Sequence, residues 1–441
     1  MSFADRLSAL LDARPALEGA EVVGWRFDLS ESRSIAAGLK DSRVGGPYDP
    51  PSVASGIGGG IVLVWSDGVH TYGNADARAI EEFDQRLRAW RQAAFADRYA
   101  PPLHPPADYP AVATFDPDVA SILEGDTKRL FRLLRLALDT CQARGARVVD
   151  AGVGVARGTR FLHSSTGIRL SYPETSFRFW ASADDLYGQG YAKRRVPTDE
   201  EVEFLVHDVA DTAAVLRADG VPLAGELPVV LPPDSANAFY GHYLGANLSG
   251  SAVVNGHSAF TLDQFRAAAQ VARADVQVWV DTLLPLEGAA SPASSEGVPG
   301  GRADLIRDGR LVSPLLDLRY AGRAAMPPTP VPRGGPGLLV RSDRAAAGQD
   351  DLLADVERGL VVYSLLGMHT QDSSSGSYSL VASQARAIVD GRLRDGKIKA
   401  VLSGNFFEHL RDDRTRFAPF PHEWNPGMRV HCAVRAERSA G

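Results

Sequence analysis

Apolar residues recur along this chain at two spacings, and the changes between them mark out its units. The opening "MSFADRLSALLDARP" has helical periodicity and reads as a short amphipathic helix capped at Ser2. "EVVGWRFDLSESRSIAAGL" is alternating and β-branched and predicts a pair of strands, and "GGGIVLVWSDGVHTYGNA" predicts a hairpin turning at "SDG". Over 75–99 the period returns to that of a helix, with Phe83, Leu87, Trp90 and Ala94 along one side. Residues 1–100 are therefore expected to form a first α+β domain.

The prolines of "APPLHPPADYP" lack amide donors and fix their own dihedrals, so 101–114 is expected to be a linker. Beyond it the pattern predicts a helix over 116–144, strands through "ARVVDAGVGVARGTRFLHSSTGIRLSYPETSFRFWASA", and a helix over 199–218, together a middle α+β domain, 115–224. The remainder, 225–441, opens with a buried strand, a Pro-Pro break, an Asp or Ser cap and a helix bearing "GHYLGA". Strand and turn signals dominate after that, and "PPTPVPRGGPG" at 327–337 must be irregular. The fold class expected is α+β, with N-terminal α/β units and a large β-rich C-terminal domain.

A chain of 441 residues exceeds one compact core and points to about two to four domains. A net charge of -7 argues against nucleic acid as a partner. The short basic cluster "AKRRV" at 192–196 reads as a solvated loop. Cys141 and Cys432 stand far apart with no CxxC spacing, which excludes a disulfide framework and suits a reducing compartment. No apolar run is long enough to cross a bilayer and the N-terminus lacks signal-peptide character, so no membrane partner and a cytoplasmic location are expected. The sequon at Asn247 is then without consequence.

The helix carrying His242 raises the question of a metal. Two ligands on one face of an α-helix stand about four residues apart, yet Ala238 and Ala246 flank His242 at that spacing, and Phe239 and Gly245 at three. This helix alone holds no metal. "RVVDAGVGVARG" at 147–158 has the glycines of a nucleotide loop, but strand-like sequence follows where a helix is required, so a strand turn is expected. "SGIGGG" at 55–60 reads as a flexible loop, and "QDSSSGSYS" at 371–379 as a polar turn lining a groove rather than a seryl nucleophile. His409, His422, Glu423, His431 and Cys432 are residue types that zinc accepts, but no second histidine follows "PHEW" at helical spacing. A metal at His422, His431 and Cys432 is kept as an alternative to polar side chains on loops and a terminal strand.

Three blocks, "VVLPPDSANAFYGHYLGANLSGSAVVNGHSAF", "SSEGVPGGRADLIRDGRLVSPLLDLRYA" and "GLVVYSLLGMHTQDSSSGSYSLVASQARAIVDGRLRDGKIKAVLSGNFFEHL", resemble in order those of the TldD/PmbA family, in particular its TldE (PmbA) branch. The resemblance implies a cytoplasmic heterodimeric metallopeptidase acting on unstructured peptides, including natural-product precursors. Its TldD subunit carries the HExxxH pattern, two histidines for a zinc-type metal and a glutamate for the water. Laid along that pattern, Gly241 and Ala246 take the histidine positions and His242 the glutamate position. The resemblance thus implies no cofactor in this chain, a TldD-like partner holding the metal, and packing or a polar contact near the subunit interface for His242.

The family binds extended peptide through backbone pairing at a strand edge beside a groove. Ser375, Gly376, Ser377, Tyr378, Gly404 and Asn405, small residues among strand formers, are the candidate groove residues, with structural turns as the other reading. Two further readings stay open: an independent, homodimeric hydrolase of the same family, and a protein that binds a peptide or small molecule without cleaving it.

Overall fold

The computed structural model describes residues 2–45, 50–333 and 337–436. Its first layer is an antiparallel sheet built on β1 (Ala20–Lys40), β2 (Ser52–Trp65), β3 (His70–Asp76), β4 (Val149–Ser164), β5 (Arg169–Ala183) and β6 (Tyr187–Lys193), in the order β3-β2-β1-β4-β5-β6. The expected pair of strands at 21–39 is one strand of 21 residues, because β2 and β4 give its backbone partners on both sides through the polar stretch at 30–34. Likewise, the glycines of 147–158 form no turn and 55–60 no flexible loop: from Val149 onward the first, and the whole of the second, lie within strands, where glycine permits close approach, as at Gly158, whose Cβ would meet the Glu31 carbonyl oxygen at 2.3 Å.

The ladder between β1 and β4 joins the segments on either side of 101–114, so the boundary drawn there separates them in sequence but not in the sheet. The prolines themselves run as irregular chain.

Successive side chains of a strand point to opposite faces. Trp25, Phe27 and Leu29 bury one face of β1 in a core with α1 (Phe3–Asp12) and α2 (Phe83–Gln92). The same side of the sheet, farther along, is covered by α3 (Pro117–Glu124), α4 (Lys128–Ala143) and α5 (Asp199–Leu216). The single helix expected over 116–144 is divided at Gly125–Thr127, and Asp116 caps its first half. The opposite face, with Arg26, Asp28, Arg160 and Glu174, is charged. "AKRRV" is not a solvated loop: Arg194 is buried and its guanidinium pairs with Glu174.

The C-terminal region is β-rich. β7 (Gly225–Leu231), β11 (Arg358–Leu366), β12 (Ser377–Val389), β13 (Ile398–Asn405) and β14 (Gly427–Ala436) pair in the order β11-β7-β14-β13-β12, and β12 pairs back to β11. The ring is a closed five-stranded barrel, a form that leaves no free sheet edge along the paired residues. β8 (Val276–Asp281), β9 (Arg302–Arg307) and β10 (Leu338–Ser342) form a smaller antiparallel sheet beside it. The barrel interior and this sheet share one core with the helix after β7, α6 (Pro233–Phe239). No Asp or Ser side chain caps α6; Pro232 and Pro233 start it, since a proline at the first helical position sacrifices no bonded N–H. In 327–337, residues 334–336 fall outside the described residues, as does the chain beyond Ala436.

Candidate functional site

Behind α6 the backbone does not continue as an α-helix: Tyr240–Gly245 is a π-helical turn. In such a turn hydrogen bonds run from residue i to i+5, so residues five apart stack along one side. The four-residue spacing expected at His242 is therefore corrected, and the stacked pair is Gly241 and Ala246. Neither carries a ligating atom. A Cβ at Gly241 would meet nothing within 4 Å, so that side of the turn is open.

Three side chains tie this turn to the segment before β12. His242 Nε2 donates to the Gln371 carbonyl at 3.2 Å, and its ring stands edge-on to Tyr243, 4.7 Å between centroids. Tyr243 donates its hydroxyl to the Ser377 carbonyl at 3.1 Å. Asn247, buried, donates to the Tyr243 and Ser373 carbonyls, both at 2.8 Å, and accepts from the Ala259 amide at 2.6 Å. The fold thus places the degenerate motif positions Gly241, His242 and Ala246 against the turn carrying Ser375 and Ser377.

The six groove candidates divide in two. Ser375 and Asn405 line a cavity of about 220 Å³ with Phe260, Gln264 and Glu408, and Ser377 is exposed beside them. Asn405 holds the site together: its Nδ2 donates to the Ser375 carbonyl at 2.9 Å, and its Oδ1 accepts from the Phe407 and Glu408 amides. Gly376, Tyr378 and Gly404 are structural. Gly376 has φ +71°, and a Cβ there would meet the Phe407 ring at 2.4 Å. Tyr378 lies inside the barrel with its hydroxyl 2.7 Å from His409 Nε2, and Gly404 leaves room for that pair. On the edge of β12 away from β13, the Ser379 amide is taken by Gln371 Oε1 at 2.9 Å.

The C-terminal histidines are scattered. His409 is buried against Tyr378, and burial pushes its pKa down to about 4. His422 is on an exposed loop with its ring 5.2 Å from Phe204, while His431 and Cys432 occupy β14, where Cys432 is buried in the barrel core. Among the described residues no three His, Cys, Asp or Glu side chains converge to hold a metal ion, so His422, His431 and Cys432 are not brought together.

One feature has no signal in the sequence. A cavity of about 240 Å³ lies between α5 and β6 on one side and the barrel on the other, walled by Tyr187, Phe204, Tyr363 and Phe420. It gathers three carboxyl groups. Asp208 accepts from the Tyr187 hydroxyl at 2.8 Å; the desolvating cavity walls raise its pKa and that of Asp234, and with Asp234 nearby push Glu423 up to about 7, although Asp234 and Glu423 keep much of their own surface open to solvent. Asp208, Asp234 and Glu423 are too far apart in the chain for any spacing rule to join them.

Residues 224–415 match the model of the PmbA/TldA metallopeptidase C-terminal domain. Residues 224–415 thus form a domain of the PmbA/TldD family. Comparison with curated proteins gives no match. Among solved structures, TldE from Thermococcus kodakarensis is similar over 98% of this chain and 99% of its own, with a TM-score of 0.81 and 17% identity. A proposed modulator of a DNA gyrase from Thermotoga maritima MSB8 gives 0.79 and 19% over 98% of this chain and 99% of its own. A proposed modulator of DNA gyrase from Bacteroides thetaiotaomicron VPI-5482 gives 0.75 and 16%, over 98% of both chains. These likenesses establish the fold over nearly the whole chain.

A PmbA/TldD metallopeptidase domain raises the question of a metal, and the residues of the π-helical turn do not fit one. Gly241 and Ala246 offer no ligand, and the Nε2 of His242 is engaged with a backbone carbonyl.

Proposed function

We propose that this PmbA/TldD-family chain is the non-catalytic, TldE-like subunit of a heterodimeric metallopeptidase whose TldD-like partner holds a zinc-type metal. The observation that carries this reading is the π-helical turn, in which the two positions of a metal-binding pair are stacked but occupied by glycine and alanine. This chain contributes surface instead. Ser375, Ser377 and Asn405 stand at the end of β12 and β13 beside an open cavity, where an extended, unstructured peptide, including a natural-product precursor, would lie. The cytoplasm is the compartment in which such peptides and both subunits meet.

The test is metal content by elemental analysis. The chain alone is expected to hold no stoichiometric metal, and a one-to-one complex with a co-expressed TldD-like partner about one ion per pair. One ion bound by this chain alone would overturn the proposal. A second measurement uses the open side of the turn: the triple variant Gly241→His, His242→Glu, Ala246→His is expected to bind about one zinc ion. Failure of a folded triple variant to bind zinc would remove the turn as the position of the lost site.

A further inference from the structure

The charged face of the first sheet, opposite Trp25 and Phe27, is only partly covered. A cleft of about 430 Å³ remains over β1–β3, lined by Arg26, Asp28, Gly60, Val62, Tyr72, Asn74 and Ser295. Arg26 is 9% exposed, yet its guanidinium makes a single side-chain bond among the described residues, from Nη2 to Glu296 Oε1 at 3.4 Å. A guanidinium carries five N–H donors in a planar fork. A nearly buried arginine with most of that fork unused beside an open cleft is an incomplete site rather than a finished ion pair.

The surrounding network is short of negative charge, although Arg333 and Arg194 also donate to backbone carbonyls. Arg160 reaches Asp28 and Glu174, each at 3.3 Å; Arg194 reaches Glu174 at 3.3 Å, and Arg333 pairs with Asp28. With Arg26 and Glu296, four guanidinium groups face three carboxylates, one positive charge in excess. The buried Nε atoms of Arg160 and Arg194 have no acceptor among the described residues. Asp28 is shared by two arginines, so its charge is already spent when it faces the cleft. The floor is bare as well. A Cβ at Gly60 would meet nothing within 4 Å, and Gly60 pairs with Asp28 and Asn74 across the ladders on either side. The far wall is fixed by Tyr72, which donates to Asp97 at 2.8 Å while Arg319 lies over its ring and pairs with Asp97.

We propose that this cleft binds a carboxylate monoanion, the C-terminal carboxylate of an extended peptide, on the fork of Arg26. A planar carboxylate matches a guanidinium in two parallel hydrogen bonds. A single excess charge flanked by Asp28 and Glu296 favours a monoanion over a phosphate dianion. The glycine floor admits a backbone beside the strand. All lining residues belong to this chain, so the proposal stands or falls independently of any metal-bearing partner.

The test is calorimetric titration of the full-length chain with N-acetyl-trialanine, its C-terminal amide, acetate and inorganic phosphate. The acid peptide is expected to bind at least about tenfold more tightly than the amide. Gly60→Leu, whose Cβ would meet nothing within 4 Å and whose side chain extends over the floor, is expected to weaken the acid peptide by about tenfold while leaving the circular dichroism spectrum unchanged. Arg26→Lys keeps the ion pair with Glu296 but loses the fork, and is expected to weaken binding similarly. Equal affinity for acid and amide, no binding of either, or unchanged binding in Gly60→Leu would overturn the site. Acetate as tight as the acid peptide would overturn the peptide end in favour of a small carboxylate, and phosphate as tight would overturn the monoanion.

Discussion

At the scale of single residues the glycines carry opposite instructions that look identical in sequence. Gly241 sits on the open side of a helical turn, whereas Gly376 has φ +71° and the Phe407 ring 2.4 Å from where a Cβ would be. Gly241→Ala should therefore be neutral or stabilising by up to about 1 kcal/mol, through helix propensity. Gly376→Ala should cost about 1–3 kcal/mol, from the left-handed backbone and the overpacked ring. Urea denaturation of the two variants checks this, and equal effects would show that the Phe407 contact is not rigid. The candidate groove was legible to the same half-extent. Composition picked out small residues among strand formers, but only the packing around each position separated Ser375, Ser377 and Asn405 from the structural Gly376, Tyr378 and Gly404.

At the scale of elements the informative departure is the π-helical turn at Tyr240–Gly245. Periodicity locates a helix there because Phe239, Tyr240, Tyr243 and Leu244 are apolar and become buried. It does not reveal the widened hydrogen-bond register, since that depends on what the turn packs against. Asn247 joins the end of the turn to both the Ser373 carbonyl and the Ala259 amide, with three side-chain hydrogen bonds to backbone groups in all. Asn247→Ala would leave the Ala259 amide without its partner and is expected to cost about 1–3 kcal/mol. Hydrogen exchange should then rise at Ala259 and around Ser373, where of the bonds to the π-helical turn only those of His242 and Tyr243 remain. Exchange unchanged there would mean that those two contacts suffice. The same limit on local reading explains the 21-residue strand β1, whose polar middle resembles a break until ladders on both sides are present.

At the scale of the whole molecule, two separate cores each bury a neutral histidine. His163 is 3.0 Å from Ser8 Oγ among Trp25, Phe27 and Phe161, and burial pushes it down to about 4; His409, inside the C-terminal barrel core, is pushed to about 4 for the same reason. An unfolded histidine titrates near 6.5, so between about pH 6.5 and 4 the unfolded chain binds more protons than the fold. The stabilisation from each neutral site is therefore complete above about pH 6.5 and is lost as the pH falls, at about 1.4 kcal/mol per pH unit per histidine. Glu423, raised to about 7, acts with the opposite sign above its unfolded value, so the wild-type curve blends the two. The comparison of His409→Gln with wild type isolates one histidine: its urea midpoint should depend less steeply on pH between 6.5 and 5. Parallel curves would place the acid sensitivity elsewhere.

By itself the sequence determined most of the helices, the acidic net charge and the PmbA/TldD-type C-terminal region, because these rest on local periodicity, on charge, and on ordered blocks after residue 227, whereas the strands at 55–60 and 149–158 emerge only once their ladders are present. It also determined that Gly241 and Ala246 cannot ligate a metal, since the residue types alone decide that. Only the tertiary structure decided that the first two segments share one sheet, that five C-terminal strands close into a barrel, and that Arg194 is buried. The cleft at Arg26 and the cavity of Asp208, Asp234 and Glu423 were likewise decided only there. The physical reason is the same in each case: strand pairing and desolvation depend on partners tens to hundreds of residues away, and no local pattern records which buried donor or charge will be left unmatched when those partners arrive.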